Sequence, residues 1–250
     1  MNNLQFWIKD LESSTFSGWN FSYLTESGRM DSEPLNWNYY SLALPHLRQA
    51  EAALDMGTGG GEYLSSFYPF PRRMAATEGY KPNIPLAKAK LEPLGVEVLS
   101  FVNDAALPFQ SDEFDLVINK HESFDPNEVK RIVKPSGLFI TQQVGGSDMA
   151  DLNERLHADQ CIYNGWNLES AAAGLKKEGF RAAAAIEQFP KTRFYDIGAI
   201  LYYLKAIPWQ IPGFSYDKYE QQLLDIQYEI ETRGYIEFTS HRFLIMAIKE

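Results

Sequence analysis

The stretch Ala52-Ala53-Leu54-Asp55-Met56-Gly57-Thr58-Gly59-Gly60-Gly61-Glu62 decides the fold. Its first residues form a short apolar run of strand type, and the glycines break that run before a helix opens at Glu62. Gly57, Gly59 and Gly61 permit a tight turn and let a ligand approach where a Cβ would collide. A loop of this kind, at the carboxyl end of a first strand, is where open α/β sheets bind nucleotides. Spacing narrows the ligand further. The dinucleotide fingerprint G-x-G-x-x-G needs glycine at position 62, which is Glu62, so a nicotinamide-linked reductase is disfavoured. A phosphate-binding P-loop needs a lysine at its end, and none stands there. What remains is D-x-G-x-G-x-G, from Asp55 to Gly61.

Outward from the loop, Met74 to Thr77, Val96 to Val102, Phe114 to Ile118 and Leu138 to Thr141 also have strand character. Several are apolar nearly throughout, as expected where both faces of a sheet are covered. Helix punctuation lies between them. Asn83 is placed to cap a helix with Ile84, Ala87, Leu91 and Leu94 on one side and Gly95 as its stop. Asp125-Pro126-Asn127-Glu128 combines a cap, a proline at the first helical position and an acid at the third. Val129, Ile132 and Val133 continue as its buried stripe up to Pro135-Ser136-Gly137. Asn167 opens a further helix that Gly179 closes. This alternation predicts a parallel α/β sheet with right-handed crossovers.

Two regions depart from the alternation. Residues 1–48 are aromatic and polar (Trp7, Phe16, Trp19, Phe21, Tyr23, Trp37, Tyr39, Tyr40), with a helix expected over Asn38 to Gln49. Residues from about 190 to 233 hold an apolar helix around Ile197 to Leu204, and an amphipathic one through Tyr219, Leu223, Ile226 and Ile230. The expected organisation is therefore an aromatic cap segment over 1–48 and a core domain over 49–250 with a cap insertion near 190–233. One or two strands are expected in Gly234 to Glu250.

The pattern from Asp55 to Gly61, together with the sequence C-terminal to it, resembles the class I S-adenosylmethionine-dependent methyltransferases, in particular their type 11-like methyltransferase domain. Good similarity runs from about Ala52 to Gly146. Asp55-Met56-Gly57-Thr58-Gly59-Gly60-Gly61 looks like the first cofactor-binding motif. Glu78, 23 residues after Asp55, matches the acid that holds the ribose hydroxyls, with Gly79 beside it. Asn103-Asp104-Ala105 matches the acid and small residue beside the adenine. Phe114 to Ile118 matches the fourth strand, with Asn119 at its end near the methyl donor, and Ser136 stands where the family often has glycine. The resemblance implies a Rossmann-like sheet of seven mostly parallel strands with helices on both faces and the last strand antiparallel. It also implies S-adenosyl-L-methionine as cofactor, and Tyr40 or its neighbour Tyr39 at the cofactor's amino-acid end.

The chemistry is consistent with that ligand. A carboxylate accepting two ribose hydroxyls makes a charge-assisted pairing, and acids with aromatic faces suit a sulfonium cation. Methyl transfer needs alignment of donor and nucleophile, a dry site and, for a protonated nucleophile, a base. His121 and Glu122 come directly after the fourth strand, where the methyl would sit, and are the candidate catalytic residues. Their plainer reading is as loop polarity. Tyr23, Gln142, Arg193 and Tyr195 are the candidate acceptor contacts, and Trp19, Phe21 and Tyr23 either close over the ligands or cover the sheet edge. No His/Asp/Glu spacing suggests a metal.

Composition bounds the partners. Against 23 Lys and Arg stand 33 Asp and Glu, a formal charge of −10, which argues against a surface built throughout for phosphate backbone. The single Cys161 excludes an intramolecular disulfide and a zinc site made of several cysteines. The start lacks a basic and then apolar leader pattern, and no apolar run approaches a membrane span, so a cytoplasmic protein without membrane partner is expected. A small-molecule acceptor is expected ahead of nucleic acid. Methylation of an RNA base, or cofactor binding without catalysis, are the alternatives. Acceptor identity and oligomeric state are not legible in the sequence.

Overall fold

The computed structural model describes Phe6, Trp7, Lys9, Leu11 and residues 21–250. Phe16 and Trp19 lie outside the described residues. The strands, in chain order, are β1 (Met30–Ser32), β2 (Ala52–Met56), β3 (Arg73–Glu78), β4 (Val96–Ser100) and β5 (Phe114–Lys120), and then β6 (Val133–Val144), β7 (Phe180–Gln188), β8 (Lys191–Phe194), β9 (Ile236–Thr239) and β10 (Arg242–Lys249). Two compact units emerge: one holds Asn36–Val144, Asn167–Glu187 and Phe243–Glu250, the other Met1–Leu35, Gly145–Trp166 and Gln188–Arg242. The helix Tyr39–Gln49 thus belongs to the first unit.

That first unit is built on a sheet of order β4-β3-β2-β5-β6-β10-β7, mostly parallel with an antiparallel strand at one end. Every residue of β2 is buried, as are all of β3 but its first, which is why these strands carry no polar alternation. Parallel register aligns Met56 with Thr77 on one side and Asn119 on the other, and Asn119 with Thr141. Four strands therefore finish in one row, and the polar residues Thr77, Asn119 and Thr141 are fully buried within it.

Helix starts obey local side-chain chemistry. Asn38 accepts from Ser41 N at 2.9 Å, Asp125 from Glu128 N at 2.9 Å, and Asn167 with Ser170 forms a reciprocal capping box. Three details differ from the sequence expectation. Asn83 does not cap the helix Ile84–Leu91: its backbone is already helical and its side chain makes no cap bond. Glu128 does not reach back to its own cap but accepts from Leu107 N at 2.6 Å and pairs with Arg131. Val133 opens β6 instead of continuing the helix Pro126–Ile132, because the chain is recruited there by the Phe114 register. Ser136 has φ 62, the left-handed region that favours glycine, which accounts physically for the residue type usual at that turn in the family it resembles.

The second unit has its own core. Leu11, Leu24, Met149, Leu152, Phe194, Leu223 and Phe238 pack around the helix Ile197–Ala206, in which only Lys205 reaches solvent. A small antiparallel sheet, β1-β8-β9, flanks it, with Met30 opposite Phe194 and Phe194 opposite Ile236. Asp196 caps the buried helix through Ala199 N at 2.9 Å and also pairs with Arg29 at 2.6 Å. No helix among the described residues is long and apolar enough to cross a membrane.

Substituting Asp125→Ala removes the bond to Glu128 N and is expected to lower the unfolding free energy by about 1 kcal/mol. Urea denaturation measures this; an unchanged midpoint would mean that Pro126 alone sets the helix start.

Candidate functional site

The glycine loop runs from the carboxyl end of β2 to the short helix Glu62–Ser65. Gly57, Gly59 and Gly61 all have positive φ (71°, 63° and 85°), so the bend itself requires them. Space requires two of them as well. A Cβ on Gly61 would fall 2.8 Å from Leu91 Cγ, and one on Gly57 would fall 2.6 Å from Glu122 Oε2. The loop is tied to the neighbouring strand by Thr58 N, which donates to Thr77 O at 2.9 Å.

Four acids surround this loop. Asp55, buried beneath it, is pushed up to about 7 by its burial; the Thr58 hydroxyl and the Lys120 ammonium favour its charged form, and Glu78 opposes it. Glu78 ends β3 and is buried. Burial raises its pKa, while N–H groups of Tyr80, Gly59 and Gly79 and the Asn83 amide favour the anion. The Tyr80 N–H donates to Oε1 at 2.6 Å. Glu122 is pushed up to about 7 by burial and then by the charges of Asp104 and Glu78. Asp104 receives a hydrogen bond from the Ser123 hydroxyl. Its neighbour Asn103 accepts from Ala105 N at 2.9 Å, closing a small turn, and Gly79 sits where a Cβ would come 3.2 Å from the Phe101 ring.

The end of β5 supplies the remaining polar groups. Asn119 Oδ1 accepts from Thr141 Oγ1 at 2.9 Å and from Gln143 Nε2 at 2.7 Å, which leaves its buried Nδ2 without a partner. The Tyr39 hydroxyl accepts from Asn119 N and donates to Asn119 O, both at 3.0 Å. Beyond Lys120 the strand stops, because His121 takes φ 65 and its N–H donates to Gln142 O at 2.7 Å. That turn carries Glu122 back over Gly57. On the side chains, Trp37 Nε1 donates to Gln142 Oε1 at 2.8 Å, and Gln142 Nε2 lies 3.0 Å from His121 Nε2.

Aromatic rings line the same unit. Lys120 Nζ lies 3.8 Å from the Tyr63 ring centroid, and Tyr63 packs near Tyr39 and Phe67. Tyr40 stacks on Phe67 at 4.5 Å and its hydroxyl donates to Ser66 O at 3.2 Å, whereas Tyr39 is the member of the pair that reaches the strand ends. The structure thus gathers Asp55, Gly57, Thr58, Glu78, Asp104, Asn119, His121, Glu122 and Gln142 around one loop system. Tyr23, Arg193 and Tyr195 belong to the other unit. There Arg193 pairs with Glu237 at 2.9 Å, Tyr23 lies 4.9 Å from the Tyr202 ring, and Tyr195 faces Tyr235.

Sequence does not mark Trp37, Tyr63, Asn83, Lys120 and Ser123 for these positions. The aromatic richness before residue 48 is the only signal for the first of them. Asn83 misleads, since its position before a helix mimics a cap while its backbone is already helical and its side chain is buried without a cap bond.

Comparison with known proteins fits this geometry. Residues 54–141 match the family described as methyltransferase domain. No curated protein matches the chain. Among solved structures, the YcgJ protein of Bacillus subtilis is 17% identical with a TM-score of 0.59, covering 85% of this chain and 98% of that one. A candidate methyltransferase of Bacillus halodurans C-125 is 18% identical with a TM-score of 0.57, covering 82% and 98%. A geranyl diphosphate methyltransferase in complex with S-adenosylmethionine is 12% identical with a TM-score of 0.50, covering 84% of each chain. At these identities the structures attest the fold, and the family match speaks for residues 54–141. Residues 54–141 thus form a methyltransferase domain, of the kind that takes its methyl group from S-adenosylmethionine, on the fold these structures share.

Proposed function

We propose that this enzyme methylates a small-molecule acceptor in the cytoplasm, and that the loop system of the sheet unit holds its cofactor. The observation that carries the cofactor assignment is Glu78, an acid buried at the foot of the glycine loop that accepts from Tyr80 N at 2.6 Å and whose pKa burial raises. The residues fit the group. Gly57 and Gly59 leave main chain bare for close approach, and Asn119 Nδ2 is a buried donor still lacking an acceptor. In this reading Glu78 accepts from the ribose hydroxyls, and Asp104, within Asn103-Asp104-Ala105, accepts from the adenine amino group. Asp55, with the backbone of Gly57, Thr58, Gly59 and Gly61, faces the cationic part, and Asn119 donates alongside. Tyr40 supports the wall through Phe67.

When bound, the cofactor supplies an electrophilic methyl group on a sulfonium. The chain's own contribution is alignment, exclusion of water and proton uptake. Glu122, held near neutrality by burial and by Asp104 and Glu78, takes the proton that the acceptor nucleophile releases. His121 stands next to it as a second polar group for the acceptor. A small acceptor is supported by the net charge of −10 and by Trp37, Tyr39 and Tyr63, which give the sheet unit an aromatic wall instead of a basic one. Incubating the enzyme with methyl-labelled cofactor and fractionated cell extract tests this reading. Label in the low-molecular-weight fraction is expected; label in RNA would replace it with base methylation.

Two further outcomes are expected. Glu78→Ala should weaken cofactor affinity by about 1–3 kcal/mol in calorimetry, the loss of charge-assisted hydrogen bonds; an unaltered Kd would remove Glu78 from the ribose role. Asp55 and Glu122 each hold a proton for part of the time near neutrality. A cationic ligand favours their ionised forms, so binding should expel protons. Affinity should then climb as pH rises from about 6 to about 8 and level off above. Calorimetry in buffers of differing ionisation enthalpy reads the released protons directly, and zero release would contradict the assignment.

A further inference from the structure

Trp37, Gln142 and His121 form a hydrogen-bonded line whose direction can be settled from the donor inventory alone. An indole nitrogen donates and never accepts, so the amide atom 2.8 Å from Trp37 Nε1 is the Gln142 carbonyl oxygen. The opposite end of that amide is an NH2 group, and it lies 3.0 Å from His121 Nε2. An NH2 group only donates. Nε2 therefore accepts with its lone pair, and neutral His121 carries its proton on Nδ1.

The line is difficult to rearrange. Trp37 and Gln142 are both buried, at 9% and 5% exposure, so turning the amide over would face two donors against each other away from water. The main chain fixes the same pair of residues, since His121 N donates to Gln142 O at 2.7 Å. Lys120 and Gln142 are register partners in β5 and β6, which sets the distance between the two side chains.

We propose that Trp37 is a positioning residue that acts through Gln142 to lock His121 in the Nδ1–H tautomer with its lone pair engaged. Locked in this way, neutral His121 offers donors only and does not serve as the base, so the proton released by the acceptor goes to Glu122. The route of that proton rests on the proposed function; the tautomer does not.

Nitrogen-15 NMR of ring-labelled histidine in the cofactor-free protein, at a pH of about 8.5 where imidazole is neutral, reads the tautomer directly. His121→Gln identifies its signal among the four histidines. The wild type is expected to show a protonated Nδ1 and a bare Nε2. Trp37→Phe keeps an aromatic ring, removes the N–H and should give a mixture of tautomers. Gln142→Glu, close to isosteric, should transfer the proton to Nε2, because a carboxylate can accept from the indole and from Nε2–H together. The Glu variant carries the test alone if Trp37→Phe fails to fold. A protonated Nε2 in the wild type, or a Glu variant that keeps its proton on Nδ1, overturns the lock. In turnover assays Trp37→Phe should lower kcat while cofactor affinity holds. If the expected tautomers appear but wild-type protein binds no cofactor, the functional reading falls and the lock stands.

Discussion

A parallel sheet brings its strand ends together at one edge, where the ladder stops and main-chain groups lose their partners just as they enter a buried region. In this chain that edge is satisfied piece by piece. The Tyr39 hydroxyl bridges the N–H and carbonyl of Asn119, Thr58 N reaches Thr77 O, and His121 N reaches Gln142 O. Each of these bonds also aims a side chain. Tyr39 anchors the helix Tyr39–Gln49 above the strand ends, Thr58 bends the glycine loop over Asp55, and the turn at His121 lays Glu122 on Gly57. Closing the edge and building the site are the same operation.

Closing it with acids has a thermodynamic consequence. Asp55 and Glu122 are both pushed up to about 7 by burial, far from the usual carboxylate range. Between that range and neutrality the folded chain keeps protons that the unfolded chain has released. These two groups therefore draw stability down as pH rises through that window. The sheet beneath compensates with buried apolar strands and with the Thr141–Asn119–Gln143 network. Under the proposed cofactor role, buried acids awaiting a cation are expected to be strained without one, and the unpartnered Nδ2 of Asn119 is a second instance of the same tension.

Fixed donors and acceptors matter more here than flexible charges. Indole and backbone N–H groups have no alternative protonation state, and they set the orientation of groups that do. The N–H groups of Gly59, Gly79 and Tyr80 act this way on Glu78, and Trp37 on Gln142. In the second unit, Asp148 holds His241 N at 2.8 Å and the Tyr203 hydroxyl at 3.2 Å, so buried polar organisation is not confined to the sheet.

What the sequence determined by itself was the local logic. Near-continuous apolar runs announced β2, β3 and β5, left-handed glycines announced the loop, and Asp125 and Asn167 announced their helices, because each depends on neighbours a few residues away. Asp55, Glu78 and Asp104 were singled out by the resemblance to the methyltransferase family, and the structure places all three around the glycine loop. Tertiary structure alone decided the rest. Asn83 is buried without capping its helix, Trp37 meets Gln142 across 105 positions, and the mostly exposed Ala182 to Ala185 run forms the sheet's edge strand. Such partnerships are set by which strand ends lie side by side, and a pattern read along one chain carries no record of that juxtaposition.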